Sequence, residues 1–200
     1  MLRVGVLTVS DRVAQGVAED LSGPLIAQIV RERLQALVLE ERVVPDERYV
    51  IEEVLREWAD EAELDLILTT GGTGFAPRDV TPEATRSVIE REAPGFAEAM
   101  RAKGLEVTPH AMLSRGVAGI RGRTLIINLP GSPKAVRENL EVILPALPHG
   151  LRLLQGLEGE DQRHEISIQP EEVPSWAEDF HAWLEQRRGG QRSRSEDSDA

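Results

Sequence analysis

Apolar residues fall along the chain in two rhythms: short continuous runs, and longer stretches spaced for one face of a helix. Residues 2–9 (LRVGVLTV) are apolar and β-branched, the pattern of a buried strand. Asp20-Leu21-Ser22-Gly23-Pro24 then reads as a helix start, with Ser22 or Gly23 capping and Pro24 just inside. Leu25, Ile26, Ile29, Val30 and Leu34 follow at helical spacing. Residues 41–44 form a short second strand, and Val50, Ile51, Val54, Leu55 and Trp58 the apolar face of a second helix. A third strand, 64–68, breaks into Thr69-Thr70-Gly71-Gly72-Thr73-Gly74. A third helix spans 81–92, with Thr81 as N-cap and Pro82 at its first position. Ala93-Pro94-Gly95 breaks it, and 96–103 continue as a separate short helix. Thr108-Pro109-His110 opens another helix ending near Ser114-Arg115-Gly116. Residues 117–120 and 124–129 make a hairpin around Arg121-Gly122-Arg123, and Pro130-Gly131-Ser132-Pro133-Lys134 turns into a helix over 135–144. Pro145 and Pro148 interrupt it, leaving a last turn at 150–154. Strands alternating with amphipathic helices predict a three-layer α/β/α sandwich with a mostly parallel central sheet, to which the hairpin adds an antiparallel strand.

Beyond residue 156 the pattern changes. Residues 158–200 hold 5 arginines against 12 acidic residues, a net of −7 out of the chain's −12. Trp176, Phe180, Trp183 and Leu184 share one face of a short amphipathic helix, more in keeping with packing than with base stacking. From Gly189 onward the composition predicts disorder. The expected organisation is a folded domain over 1–156, an acidic extension over 157–188 and a disordered tail over 189–200. The negative charge argues against nonspecific binding to nucleic acid or a membrane. No cysteine is present, so disulfides and thiolate metal sites are excluded. The first apolar run is too short for a signal peptide or a span, and the expectation is a soluble, cytoplasmic protein.

The chemistry gathers where strands end. Three glycines in four positions, Gly71, Gly72 and Gly74, let the backbone turn tightly and approach a ligand. A strand, a glycine loop and a helix start together make an anion cradle. The loop is not a Walker loop, since it has no lysine, and the dinucleotide fingerprint fails at Pro77. Asp79 lies inside the cradle. A carboxylate beside phosphates is repulsive unless a cation lies between them, which points to a metal-bridged phosphate ligand. In a parallel sheet, Ser10-Asp11, Pro45-Asp46, the loop with Asp79, and the stretch from Asn128 to Lys134 all fall at one edge. Arg12, Arg78, Arg115 and Lys134 are available for anionic oxygens. Each residue has a plainer reading. The glycines make a tight turn, Asp46 caps the second helix, Asp79 is a turn residue, Ser22 is a helix cap, Asn128 satisfies backbone at a strand end, Arg115 pairs with an acid on a neighbouring subunit, and His110 is a first-turn helix residue.

VSDR, DLSGP, VPDE, TTGGTG, RDVTPEAT, PGFAEAMR, TPHAMLSR and NLPGSPKAV occur in this order over residues 2–156. In them the chain resembles the molybdopterin adenylyltransferases of molybdenum cofactor synthesis, which include the G domains of plant and animal fusion proteins. The extension has no counterpart there. The resemblance implies that the terminal phosphate of molybdopterin attacks the α-phosphorus of ATP with Mg²⁺, giving adenylylated molybdopterin and pyrophosphate. A phosphate monoester is largely dianionic at neutral pH, so its oxygen is nucleophilic without a general base. By this resemblance Asp46 and Asp79 are catalytic and hold the metal. Ser10, Asp11, Ser22, Gly23, Gly71, Gly72, Thr73 and Gly74 bind the nucleotide phosphates. Ser114, Arg115, Asn128, Pro130, Gly131, Ser132 and Lys134 bind molybdopterin. A homotrimer and a molybdenum-insertion partner are implied as well. The competing readings are a non-catalytic molybdopterin-binding or assembly protein, since the family has a paralogous subgroup, and a nucleotide-dependent oxidoreductase.

Overall fold

In the computed structural model, which describes residues 1–157, the apolar runs become the strands of one sheet: β1 (Arg3–Val9), β2 (Leu37–Val44), β3 (Leu66–Thr70), β4 (Arg91–Glu92), β5 (Ala118–Arg121) and β6 (Thr124–Leu129). Their order is β2-β1-β3-β6-β5-β4. The first four in that order run parallel, and β5 and β4 are antiparallel to their neighbours. The central strands β3 and β6 are buried along their whole length, which is why they read as unbroken apolar runs rather than alternations.

Helices cover both faces. Val4, Val6, Leu66, Leu68 and Ile127 pack against α2 (Ser22–Leu34), α5 (Pro94–Val107), α6 (Pro133–Ile143) and α7 (Leu147–Gln155) through Ile26, Met100, Leu140 and Leu147. Leu7, Val9, Ile67 and Ile126 face α3 (Arg48–Arg56) and α4 (Thr81–Val88) through Ile51, Leu55 and Val88. Trp58 fills this second layer, on a π turn (Glu57–Glu61) that continues α3. Its ring needs the space left at Gly5, where a Cβ would stand 2.6 Å from Cε3. Fully burying one large apolar side chain contributes about 1.5–3 kcal/mol, so the two layers supply most of the driving force. The three-layer sandwich is the architecture expected from the sequence.

Several boundaries differ from the expectation. Strand β2 starts at Leu37 rather than 41 and carries Glu40, Glu41 and Arg42, because it is an edge strand with solvent access on both faces. The third helix stops at Val88, and Arg91–Glu92 pairs with β5 inside the span read as helical. Pro94 opens α5 rather than breaking a helix, and α5 runs on to Val107 without a second start at 96. The expected helix after Thr108 is one 3₁₀ turn (Pro109–Leu113), with His110 N donating to the Thr108 hydroxyl at 3.3 Å. Pro148 sits in the first turn of α7, which therefore runs from 147 rather than 150. The amphipathic helix and the disordered tail expected after residue 157 lie outside the described residues.

Candidate active site

The carboxyl ends of β1, β3 and β6 are joined backbone to backbone. Gly71 and Gly72, straight after β3, take positive φ angles of 94° and 62°. At Gly71 a Cβ would run into the carbonyl oxygen of Val9, and Gly131 packs against it, its own Cβ position 3.4 Å from Gly71 Cα. Thr70 Oγ1 donates to Pro130 O at 2.7 Å, and Ser22 Oγ donates to Gly131 O at 2.7 Å.

Over this floor stand two carboxylates. Asp46 Oδ2 accepts from Asp11 N at 2.8 Å, and Asp11 Oδ1 accepts from Asp46 N at 3.0 Å, a reciprocal clasp between the ends of β1 and β2. Asp46 Oδ1 lies against Gly72, 3.0 Å from where a Cβ would be. Asp79 Oδ2 accepts from Ala76 N at 2.9 Å and lies 2.9 Å from the Cβ position of Gly74. The glycines thus admit both side chains onto the loop. Asp46 does not cap α3, whose N-cap is Glu47 without a side-chain bond, so that plainer reading falls away. Burial pushes the Asp46 carboxyl above its usual pKa; the Asp11 backbone bond opposes the rise, and the charges of Asp11 and Asp79 add to it. Arg78 pulls Asp11 the other way, donating to Oδ2 at 2.6 Å and Oδ1 at 3.0 Å while also reaching Glu47 Oε1 at 2.8 Å.

Among the described residues no group of three or more His, Cys, Asp or Glu side chains is placed to hold a metal. Asp46 and Asp79 nevertheless fit a divalent cation of the magnesium kind, which takes one or two protein carboxylates and completes its shell with water and phosphate oxygens. Burial is the main reason charge on Asp46 is disfavoured, and the neighbouring carboxylates of Asp11 and Asp79 add to it; a divalent cation there would offset both.

Beside Asp79 opens a cleft of roughly 460 Å³. It is lined by Gly72, Thr73 and Gly74 of the glycine loop, by Pro130 and Gly131 after β6, and by His110, Leu113 and Ser114 of the 3₁₀ turn and the residue after it. Of the residues expected at the site, the cleft brings together Gly72, Thr73, Gly74, Asp79, Ser114, Pro130 and Gly131, while Asp46 meets it at Gly72.

Others are placed differently from the sequence reading. Thr81 is not a cap; it is the first helical residue, and its hydroxyl donates to Gly71 O at 2.9 Å. Neither Ser22 nor Gly23 caps α2. Asp20 Oδ1 accepts from both their N–H groups, at 3.1 and 2.9 Å, so those donors are already taken by a carboxylate. Ser10 caps the short α1 (Asp11–Ala14), accepting from Val13 N at 3.4 Å, and Ser132 caps α6, accepting from Ala135 N at 3.3 Å. Asn128 is 2% exposed and satisfied within the protein: Oδ1 accepts from Val117 N, and Nδ2 donates to the hydroxyls of Thr69 and Thr85. It is a buried tie, with no face turned to a pterin. Lys134 extends into solvent, 3.8 Å from Glu138. Arg115 pairs with Glu83 of its own chain and reaches the carbonyls of Gly74 and Asp79. The sequence reading missed Asp20 as the carboxylate over the α2 start, although an acid two residues before Ser-Gly-Pro signals it. It also missed Glu83, whose partner is 32 residues away.

The profile of a family described as a probable molybdopterin binding domain matches residues 5–149. A molybdopterin adenylyltransferase of Helicobacter pylori strain J99 is 49% identical over 156 residues, covering 78% of this chain and 89% of that protein. Gephyrin of Dictyostelium discoideum is 52% identical over 160 residues, but there the match takes 76% of this chain and only 22% of the relative. The crystal structure of the molybdopterin biosynthesis enzyme MoaB from Thermus thermophilus superposes with a TM-score of 0.74 at 57% identity, covering 78% of this chain and 98% of that one. The strand-end cleft and its loops lie inside the matched residues, and the chain belongs to the molybdopterin-binding family of molybdenum cofactor biosynthesis.

Proposed function

We propose that the protein adenylylates molybdopterin, transferring AMP from ATP to the terminal phosphate and releasing pyrophosphate. The observation that carries this reading is the pair Asp46 and Asp79, laid against Gly72 and Gly74 in a loop of backbone donors. A protein that only carried a phosphorylated pterin would gain nothing from two carboxylates beside the phosphate. The names of the full-length bacterial relatives support the same activity.

In this reading the glycine loop receives the nucleotide phosphates. Ser114, Pro130 and Gly131, which line the cleft, form the side that takes the pterin phosphate. Asp46 and Asp79 hold Mg²⁺, which when bound neutralises charge on the reacting and leaving phosphates. The protein's own contribution is alignment of two mutually repelling anions, since the attacking oxygen needs no base. The Ser22-Gly23 helix start supports the site from below, through Ser22 and Gly131, rather than binding phosphate itself. The reading extends, by resemblance, to a homotrimer acting in the cytoplasm ahead of a molybdenum-insertion partner; among the described residues no helix is long and apolar enough to cross a membrane.

The test is Asp79→Asn. The variant keeps its circular dichroism spectrum and loses ATP- and molybdopterin-dependent pyrophosphate release by on the order of a hundredfold or more, the usual consequence of removing transition-state electrostatics. Undiminished turnover refutes the transferase assignment. No pyrophosphate from the unmodified protein, with molybdopterin still bound, selects the non-catalytic carrier.

A further inference from the structure

We propose that Arg115 is a positioning residue for the nucleotidyl transfer: it fixes the main chain of the glycine loop, and through it Asp79, and it is not a molybdopterin ligand. The inference rests on the adenylyltransferase reading for its kinetic consequences, and on geometry alone for its structural ones.

The loop from Gly72 to Asp79 holds two glycines and few bonds to the rest of the fold. Its own bonds are local: Asp79 N donates to Ala76 O, Ala76 N to Asp79 Oδ2, and Thr81 N to Gly72 O. Arg78 ties the tip to half-buried Asp11 and to Glu47, but through side chains alone. Arg115 ties the main chain itself. Its N donates to Thr73 O at 2.9 Å, Nε to Gly74 O at 2.7 Å, and Nη2 to Asp79 O at 2.6 Å. One residue thus holds the loop near its start, at Thr73 and Gly74, and at its end, at Asp79. The Asp79 carbonyl and amide are thus both engaged, and its side chain is held as well, through Oδ2 and Ala76 N.

Two further observations separate this role from ligand binding. Arg115 lines a hollow of roughly 380 Å³ with Arg86 and Glu92; this hollow adjoins the cleft that Asp79 borders and shares Arg101 and Ser114 with it, but Arg115 itself does not line that cleft. Its remaining partner is Glu83 in the first turn of α4, whose Oε1 accepts from Nη1 at 2.5 Å, while Glu83 Oε2 is buried without a hydrogen-bond partner among the described residues. The pair Arg115 and Glu83 therefore fastens the loop to the helix that follows it. Only a planar, forked cation serves two carbonyls and a carboxylate at once; a lysine ammonium is a single compact charge on a flexible stem.

The experiment compares the full-length protein with Arg115→Lys in three measurements. Hydrogen exchange on the ligand-free proteins is expected to rise at the amides of 74–80 and stay unchanged in β3 and β6. The kcat for pyrophosphate release is expected to fall by roughly ten- to a hundredfold, the usual cost of losing a group that orients a ligating residue, while the molybdopterin Kd measured without ATP or Mg²⁺ holds within about twofold. In an Asp79→Asn background the same change is expected to cost little more, because the two act as one unit. A molybdopterin Kd weakened about tenfold with unaltered exchange overturns the proposal in favour of direct binding. A uniform rise in exchange across the sheet, with kcat and Tm falling together, overturns it in favour of a merely structural role. If Arg115→Lys does not fold, Glu83→Gln takes its place: it keeps the carbonyl contacts and is expected to show the same local rise in exchange, smaller in size, and no such rise overturns the proposal. An unmodified protein without transferase activity, with the local exchange change still present, condemns the functional reading and not the clamp.

Discussion

At Gly71 one hydrogen atom decides whether the site closes. The residue combines a φ of 94° with a carbonyl directly in the path of any side chain, that of Val9. Gly16 supplies the control, with a φ of 72° and nothing within 4 Å of its Cβ position. Gly16→Ala carries only the left-handed penalty for an L-residue, about 1 kcal/mol. Gly71→Ala carries that penalty plus displacement of a strand end, and is expected to cost about 3 kcal/mol or more in urea unfolding and to abolish binding in the cleft. Equal effects at the two positions contradict the close packing of the β1 and β3 ends. The same scale separates ligands from ties. Asn128 resembles a site residue in sequence because it stands next to the end of β6, yet its amide is spent on Thr69, Thr85 and Val117. A fully bonded, buried amide specifies the core rather than a substrate.

Among elements, α2 shows how a helix start can read as a phosphate site and be built as a bracket. Asp20 Oδ1 takes the first N–H groups of the helix, and Oδ2 accepts from Thr8 Oγ1 at 2.7 Å, locking α2 to β1. Asp20→Ala is expected to lower stability by about 1–2 kcal/mol, the range for loss of a helix cap, and Asp20→Asn to restore much of it. Denaturant midpoints of the two variants check this, and an alanine variant as stable as the parent removes Asp20 from the role. What the sequence made legible follows from range. Asp46, Asp79 and the glycine loop depend on spacing next to apolar runs, so they could be located before any coordinates. The start of β2 was hidden because Glu40, Glu41 and Arg42 interrupt the apolar run on an edge strand. Arg91–Glu92 was hidden because two residues of strand cannot outweigh a helical periodicity around them. Partner choice was least legible: Arg115 finds Glu83, Gly74 and Asp79 across 32, 41 and 36 residues, and no local pattern encodes such pairings.

At the level of the whole molecule, two ion pairs clip the Trp58 layer to opposite parts of the sheet. Arg42 of β2 donates to both Glu57 oxygens, at 2.7 and 2.9 Å, and its guanidinium lies 5.5 Å from the Trp58 ring centroid. Arg121 of β5 grips both oxygens of Asp60, at 2.8 and 2.6 Å, and also donates to Val88 O. These hydrogen bonds hold Glu57 below its ordinary 4.5 and Asp60 below its ordinary 3.8. A carboxyl whose folded pKa lies below its unfolded one stabilises the fold at every pH above the unfolded value, and the contribution fades as pH falls through the folded value. Stability from these clips is therefore complete above about pH 5 and decays below pH 4. Asp46, raised by burial, works in the opposite sense, so the acid limb of the whole protein mixes both signs. Asp60→Asn isolates one clip: an amide oxygen still accepts from Arg121, but the charge is gone. The variant is expected to unfold at lower urea than its parent at pH 7, by a margin that narrows as pH falls below the ordinary carboxylate range and the parent's Asp60 takes up a proton. Raising salt to about 1 M at pH 7 should shrink the same margin, since the screening length falls to about 3 Å and both partners are partly exposed. A margin independent of pH and salt assigns the effect to packing around the π turn, and the charge pair then has no part in holding Trp58 against the sheet.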